Sequence, residues 1–293
     1  MPLTDELDEV RAPQDGAKSH VHRRRRLGFV VGGIAIVVLV ASAVPYLLYL
    51  RRSHPGAAPV SSAVQRYRAS TSTTNDQAAE LIGPQPGVYQ AHGLGTERIS
   101  FPPNSQTDGA VMPITVTPRP NGCWRWRIDY NTAHWHEYDF CARGDSLLLV
   151  AQRNFQRWDF GAIKVSNLGA YTCSPPAPVM SNGAGPHASF EHRCTGTNSA
   201  VPGLSRVDGP VTMAGLTTLD IGGETVQALR QTRVEHLSGA QKGTVTEQWW
   251  FDARNGLPLR AERTYRVSSP SPVGNVVYTE HGWWQLTSLH ATT

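Results

Sequence analysis

Apolar and polar positions divide the chain into two contrasting parts. Residues 27–50 carry no charged side chain, and positions 23–26 immediately before them are all arginine. At ~1.5 Å per residue, a helix over this run spans the ~30 Å hydrocarbon core of a bilayer with some tilt. Lys and Arg accumulate on cytoplasmic flanks. The pattern therefore predicts a single-pass cell-membrane anchor at residues 27–50, with the amino terminus in the cytoplasm and the carboxyl-terminal domain outside.

This anchor divides the chain into segments. They are a disordered cytoplasmic head at 1–26, the transmembrane helix at 27–50, a flexible linker at 51–83 with a short helix around 63–68, and an extracytoplasmic β-rich domain at 84–293. The alternative is a signal peptide cleaved at the small residues 41–43, although the apolar run continues past that site. Gly28 and Gly32 have the G-x-x-x-G spacing that can dimerise membrane helices, which raises a homodimer as a hypothesis.

Beyond residue 83, the dominant pattern is the period of two that is typical of β-strands. It occurs at 112–116, 245–251 and 257–267, and a continuous apolar run covers 147–151. The Asn255-Gly256 pair between two of these segments is the strongest short-range signal for a hairpin. Helical periodicity is nearly absent. The sequence therefore predicts a mainly β fold, built as an antiparallel curved sheet or open barrel with few helices.

The clearest hairpin lies around a turn at 131–133. Placing Cys123 opposite Cys141 brings a disulfide, opposite-charge pairs and aromatic pairs into one register. These pairs are Arg125 with Asp139, Arg127 with Glu137, Trp124 with Phe140, and Trp126 with Tyr138. Such cross-strand pairs stabilise a sheet, and a slip of one residue would lose all of them.

The cysteines agree with a location outside the cytosol. All four lie beyond the predicted anchor, and an even number in an oxidising compartment indicates disulfides. Once Cys123 is paired with Cys141, a second bridge between Cys173 and Cys194 follows by elimination. It closes a loop that is rich in proline and glycine.

Charge and motifs exclude several classes of function. The formal net charge is +4, but the basic residues are scattered, so we expect no nucleic-acid partner. The chain has no Walker loop, dinucleotide fingerprint, EF-hand loop or G-x-S-x-G serine motif, and oxidised cysteines supply no thiolate nucleophile. We therefore expect no cofactor and name no catalytic residue. A carboxylate pair of the glycoside-hydrolase type stays open.

His134 and His136 come nearest to a metal cluster. Positions i and i+2 of a strand share one face, so the two imidazoles could bind one metal ion. The third ligand, His92 or His281, would have to come from another strand, because Glu137 should point to the opposite face. Sheet-face histidines without a metal explain the pair more simply, so no metal site is predicted.

The tryptophans give the candidate binding residues. Two adjacent pairs occur on predicted strands, and each must send one ring to each face of the sheet. An aromatic core with a covering element explains them structurally. An exposed apolar or stacking surface for a lipid, a glycan or a partner protein explains them functionally. The candidate ligand-binding residues are Trp249, Trp250, Trp283 and Trp284.

Residues 247–263 (EQWWFDARNGLPLRAER) resemble the carboxyl-terminal hairpin of LolA-like lipoprotein carriers and of mycobacterial lipoproteins that bind glycolipids. In those proteins a strand with Trp leads to a D-x-x-x-G-L-P turn, and a charged strand returns. The resemblance implies a strongly curved antiparallel sheet with helices over its concave face, enclosing an apolar cavity. The layout of a basic head, one anchor and a Trp-rich external domain also resembles single-pass membrane proteins of actinobacteria, which implies a location but no activity.

Two functions of different classes fit the sequence. The first is a membrane-anchored binding module for an apolar or glycan ligand or a partner protein, which predicts a concave apolar pocket of ~300–1,000 Å³ lined by Trp and Leu. The second is a cell-envelope hydrolase, which requires at least three catalytic or ligating groups to converge in one cleft. A purely structural ectodomain shares the layout of the first. Binding is favoured over catalysis.

Overall fold

Antiparallel strands build nearly all of the structured chain. The computed structural model describes residues 53–71, 83–181, 185–272 and 274–292, all within the compact unit Arg52–Thr293. Its elements are α1 Val60–Thr71, β1 Gly87–Ile99, β2 Asn104–Thr107, β3 Val111–Arg119, β4 Cys123–Asn131, β5 His134–Arg143, β6 Ser146–Asp159, β7 Lys164–Ser181, β8 Ser189–Asn198, β9 Val201–Ile221, β10 Glu224–Gly239, β11 Lys242–Asp252, β12 Pro258–Ser271 and β13 Gly274–Leu286. Across these ranges, the prediction of a mainly β fold with few helices is confirmed.

The predicted anchor at 27–50 and the glycines at 28 and 32 lie outside the described residues. Within the described ranges, the helix is too short and too polar to cross a membrane. This helix, α1, includes the short helix expected around 63–68 and packs against β1 and β3. Its Ala63 is fully buried, and its Arg66 forms an ion pair with Asp129 of β4. The helix α1 is therefore docked onto the sheet.

The sheet closes into a ring, which differs from the predicted curved or open arrangement. Strands β3 to β13 pair in sequence order, each with the next, and β1 joins β3 at one end of this series. The first strand also pairs with the last, from Ala91 opposite Leu286 to Ile99 opposite Tyr278. The short β2 adds to the other edge of β1. The closure removes the free edge that an open sheet would expose.

The predicted local pairings are confirmed. In the β4–β5 hairpin, Cys123 lies opposite Cys141, and the charge and aromatic pairs follow in the predicted register. A bulge before the turn places His134 opposite Asn131. Both disulfides are formed as predicted, and the second joins directly paired positions of β7 and β8. The β11–β12 hairpin turns through Gly256, whose positive φ of 73° suits glycine.

Inward-facing side chains form three levels along the ring. At one end is an aromatic core, in which Trp126 stacks on Trp284 at 5.3 Å and contacts Trp249 edge-on at 5.6 Å. One inward step further along β11 and β12 come the charged residues Glu247 and Arg263. Beyond this polar level, valines and aromatic residues surround an open space. The fold therefore places a buried charged layer between a packed core and a cavity.

Candidate functional site

A cavity of about 270 Å³ occupies the end of the ring opposite the aromatic core. Its wall is mainly apolar and includes Ile99, Phe101, Trp158, Phe160, Val201, Leu237, Val245, Val267 and Val276. Its floor is polar and includes His136, Tyr138, Arg233, Glu235, Tyr265 and Tyr278. The volume lies just below the ~300–1,000 Å³ that is usual for small-molecule pockets. The cavity therefore offers an apolar chamber with a polar base.

Arg233 organises one side of this floor. Its guanidinium forms an ion pair with Glu247 and lies 3.1 Å from Glu235 Oε1 through Nε. Glu247 also accepts hydrogen bonds from the Tyr265 hydroxyl and from the indole N–H of Trp249, the latter at 2.9 Å. Burial opposes ionisation of Glu247, but Arg233 and these two donors bring its pKa below the ordinary value. The carboxylate of Glu247 is therefore ionised, and both of its oxygens accept hydrogen bonds.

Glu235 is held differently and borders the cavity. Its Oε1 lies 3.1 Å from both Arg233 Nε and His192 Nε2, but neither contact has hydrogen-bond geometry, so this buried oxygen has no donor. Burial raises the pKa of Glu235 to about 7, and Glu247 adds to the rise while Arg233 opposes it. Near neutral pH, the carboxyl can therefore change its charge.

Arg263 organises the other side of the polar level. It forms an ion pair with Glu280, contacts Asp108 Oδ2 at 2.6 Å and lies 3.8 Å over the ring of Tyr130. Burial opposes the charge on this guanidinium, but Tyr130 and the carboxylates Glu280 and Asp108 raise its pKa well above the ordinary value. The pKa of Glu280 falls to about 2, because Arg263 and the neighbouring histidines outweigh the effect of burial.

Two glycines make room for this cluster. Gly95 on β1 lies opposite Gly282 on β13. A Cβ atom at Gly95 would come within 2.0 Å of the Asp108 carboxylate, and one at Gly282 within 3.0 Å of the Arg263 guanidinium. Glycine is required where another group approaches the backbone so closely. The strand closure is thus shaped around the buried charges.

His134 and His136 both point inward and are almost completely buried. Their Nε2 atoms lie 3.1 Å apart, and a ring nitrogen of each histidine lies within 4.8 Å of a carboxylate oxygen of Glu280. Burial is the main cause that lowers the pKa of each histidine, to about 4 for His136, so both imidazoles are neutral at neutral pH. Three groups with ligand chemistry therefore converge beside the cavity floor.

The third member of this group is not one of the residues proposed from the sequence. His92 and His281 are exposed, because their strand positions face outward, so they do not join the inward-facing histidines. Glu137 does point to the opposite face from His136, where Arg153 Nε contacts it at 2.9 Å. Glu280 was not predicted as the third ligand, because no local sequence motif connects β13 to β5.

The four candidate tryptophans line no part of the cavity among the described residues. Trp249 and Trp284 pack with Trp126 in the aromatic core. Trp250 and Trp283 face outward, on either side of the Arg260 guanidinium at 5.0 and 5.8 Å. The expected division of each pair between the two faces is thus present. Binding by these residues stays a prediction.

The polar floor of the cavity was also not predicted from the sequence. Arg233 and Glu235 occupy alternate positions on β10, and charged residues at alternate positions usually indicate the face of a strand that points to solvent. In the closed ring this face points inward instead. No protein-family model, curated protein or solved structure compared with the chain matches it. The side chains themselves must therefore carry any inference about function.

Proposed function

We propose that residues 84–293 form a binding module for a small amphiphilic molecule, held outside the cytosol by the predicted anchor. The apolar body of the ligand would occupy the 270 Å³ cavity, and a hydrogen-bond-donating or cationic head would reach the floor. The observation that carries the proposal is the juxtaposition of apolar walls with the undonated buried oxygen of Glu235. Both disulfides support an oxidising location.

The walls favour an apolar body. Valine and aromatic side chains from β6, β7, β11, β12 and β13 face the cavity, and each buried methylene of a ligand contributes ~0.8 kcal/mol. Trp158, one of these wall residues, lies edge-on to Tyr278 at 6.4 Å. The lining contains fewer tryptophans and leucines than expected from the sequence, so the ligand would contact mainly valine and aromatic surfaces.

The floor of the cavity favours a ligand head group that donates hydrogen bonds over one that accepts them. The polar level contains the carboxyl groups of Glu97, Asp108, Glu235, Glu247 and Glu280, but only two guanidinium groups, Arg233 and Arg263, among the described residues. Arg233 forms ion pairs with both of its glutamates, although its Nε makes no hydrogen bond. Among the residues that line the cavity, Glu235 and Asn167 each have a buried side-chain oxygen that accepts no hydrogen bond, and a small side-chain shift would bring either oxygen to a ligand. An ammonium or hydroxyl head would satisfy these acceptors, whereas a carboxylate would meet like charge.

Matched eight-carbon ligands test this proposal. Isothermal titration calorimetry of residues 52–293 at pH 8, with EDTA present, compares octylamine with octanoate. We expect octylamine to bind more tightly by roughly tenfold or more, because each 1.4 kcal/mol of differential interaction gives a factor of ten. The substitution Glu235→Gln should narrow this difference. Equal or tighter binding of octanoate would refute the assignment of the head group.

Two substitutions on one strand test the location. Val245 lines the cavity and Thr246, its neighbour, is exposed. We expect Val245→Phe to weaken octylamine binding strongly, because the ring would occupy the space of the ligand, whereas Thr246→Phe should leave binding unchanged. If both variants bind as the parent does, the cavity is not the binding site.

Cell-envelope hydrolysis is the second candidate function. The observation that favours it is the convergence of His134, His136 and Glu280 beside the cavity floor, since a hydrolase needs at least three such groups in one cleft. Hydrolysis of p-nitrophenyl octanoate that is abolished by Glu280→Gln in a folded variant would favour this function over simple binding. No turnover by the wild-type chain, with or without added Zn²⁺, would count against it.

A further inference from the structure

We propose that His134 Nε2, His136 Nε2 and a carboxylate oxygen of Glu280 form a binding site for a divalent transition-metal ion of the Zn²⁺ type. One ring nitrogen from each histidine and one carboxylate oxygen of Glu280 lie within 4.8 Å of one another, and all three residues are buried. Two imidazoles and one glutamate are a ligand set that Zn²⁺ accepts, with a fourth position left for water or a substrate. The inference does not depend on the proposed ligand of the cavity.

The arrangement follows from the fold. His134 and His136 occupy alternate positions on β5 and both point into the ring, while Glu280 points inward from β13. The two Nε2 atoms are 3.1 Å apart. Two nitrogens bound at ~2.0–2.1 Å to one tetrahedral ion would be separated by roughly 3.3 Å. A small side-chain adjustment would therefore bring both onto one ion.

Neighbouring groups hold the ligands in place. His134 Nδ1 lies 3.4 Å from Glu97 Oε1, and neither atom has a hydrogen-bond partner. A small shift that brings an Nδ1–H onto this oxygen would fix the tautomer that leaves Nε2 free for a metal, as in carboxylate–histidine–zinc arrangements. Glu280 is oriented by Arg263 and by the Tyr278 hydroxyl, which lies 2.6 Å from its Oε2. A carboxylate has about four lone-pair positions, so these contacts leave room for a metal.

The local charge also favours a cation. Glu97, Asp108 and Glu280 surround a single guanidinium, that of Arg263, within this cluster. In their ionised forms, these groups have a net charge of about −2, which one divalent ion neutralises. One divalent ion would therefore balance the carboxylates of this cluster that Arg263 alone does not.

The proposed site lies directly behind the cavity floor. His136 and Tyr278 line this floor, whereas His134 and Glu280 do not, and all three ligand residues are almost completely buried. An ion would therefore enter by displacing side chains of the floor, and a fourth ligand would come from the side of the cavity.

Zn²⁺ alone is the probe for the test. The full-length chain, without a histidine tag, is purified in a mild detergent under non-reducing conditions, which keeps Cys173 and Cys194 bonded and unable to bind metal. The chain is stripped with EDTA, exposed to Zn²⁺ and passed through a desalting column, and retained metal is measured by mass spectrometry. We expect a single tightly held Zn²⁺ ion per chain and no retention of Mg²⁺ or Ca²⁺, which prefer oxygen ligands.

Matched variants locate the ion. We expect His136→Gln and Glu280→Gln each to weaken Zn²⁺ binding by about 100-fold or more, since even losses of outer-shell partners reach ~10–100-fold. His281→Gln, at the next and exposed position of β13, should bind Zn²⁺ as the wild type does. Near-ultraviolet circular dichroism verifies that each variant is folded.

Three results would overturn the proposal. They are negligible retention of Zn²⁺ by the folded wild type, unchanged affinity in folded His136→Gln, and an equal loss in His281→Gln. If the site variants do not fold, the unfolding temperature of the wild type is measured at increasing Zn²⁺ concentration instead. An ion that binds only the folded state raises this temperature as its concentration increases. No increase with Zn²⁺ contradicts the site. None of these results depends on octylamine binding in EDTA.

Discussion

Trp249 and Trp250 are adjacent on β11, and the structure assigns them very different energetic roles. Trp249 is 3% exposed in the aromatic core, with ring centroids 5.6 Å from Trp126, 5.3 Å from Tyr138 and 5.9 Å from Trp284. Trp250 points to the outer face of the sheet beneath the Arg260 guanidinium and is itself only 7% exposed. Replacing each in turn with alanine therefore compares the aromatic core inside the ring with a covered site on the outer face of the same strand.

The expected cost of Trp249→Ala is high. Truncation of a buried tryptophan to alanine costs ~3–5 kcal/mol. The substitution also removes the indole N–H that donates to Glu247, and a hydrogen bond to a charged group contributes ~1.5–3 kcal/mol. Glu247 keeps its other donors, so we place the total loss at about 5 kcal/mol, the upper end of the truncation range.

The expected cost of Trp250→Ala is about 3 kcal/mol, the lower end of the range for a buried tryptophan. The cost of a truncation depends on how far the surroundings can close the gap, and long side chains such as Arg260 can move into the vacated space on the outer face. The cation–π contact with Arg260 that is lost contributes ~0.5–1 kcal/mol of this cost. The two adjacent substitutions should thus differ by about 2 kcal/mol in the free energy of unfolding.

Equilibrium unfolding in urea, followed by far-ultraviolet circular dichroism, measures both changes without relying on tryptophan fluorescence. Equal losses of stability, or a larger loss for Trp250→Ala, would refute the assignment of Trp249 to the core. A stable Trp249→Ala variant that no longer binds octylamine would instead support the sequence-based prediction that these tryptophans contact a ligand.

Three further outcomes are expected from the same assay. Replacing both Cys123 and Cys141 with serine should lower stability by about 3 kcal/mol, from the chain-entropy relation for a separation of 18 residues. Gly95→Ala should cost about 3 kcal/mol or more, because its Cβ would come 2.0 Å from Asp108 Oδ2 and displace this carboxylate from its buried ion pair. Relative to Glu235→Gln, the wild type should lose stability as the pH rises from about 4.5 to about 7. Over that interval the unfolded carboxyl has ionised and the folded one keeps its proton, which costs ~1.4 kcal/mol per pH unit.

For each of these predictions, one outcome would contradict it directly. An unchanged urea midpoint after removal of the first disulfide would show that the β4–β5 pairing needs no cross-link. Gly56→Ala is the control for Gly95→Ala, because nothing lies within 4 Å of a Cβ at Gly56, and equal effects would argue against a steric cause. A pH dependence that is the same in wild type and Glu235→Gln would exclude Glu235 as the titrating group.

Local pairing was the part of the fold that could be predicted. The Cys123–Cys141 register was accessible because opposite charges, aromatic rings and thiols are complementary over a short stretch of chain. The β11–β12 hairpin was accessible because Asn255-Gly256 has an intrinsic turn preference. The closure between β1 and β13 was not accessible, since these strands are separated by most of the domain and no local signal joins them.

Alternation by itself shows that a strand has two different faces, but it does not show which face is inside. Glu247 and Trp249 were seen to share a face, whereas Arg233 and Glu235 have the pattern of a solvent-exposed strand. Their burial depends on the ring, which surrounds each charge with partners of opposite sign. For the same reason, His134 and His136 could be recognised as a pair from their spacing, while Glu280 could not be recognised as the third member.

The sequence by itself determined the strand-rich character, the pairing of the cysteines and the register of the nearest hairpins, because these depend on interactions between residues close along the chain. The tertiary structure alone decided the closed ring, the cavity and the convergence of His134, His136 and Glu280. These features require contacts between distant strands, and only closure of the sheet fixes the distance and the facing of such side chains.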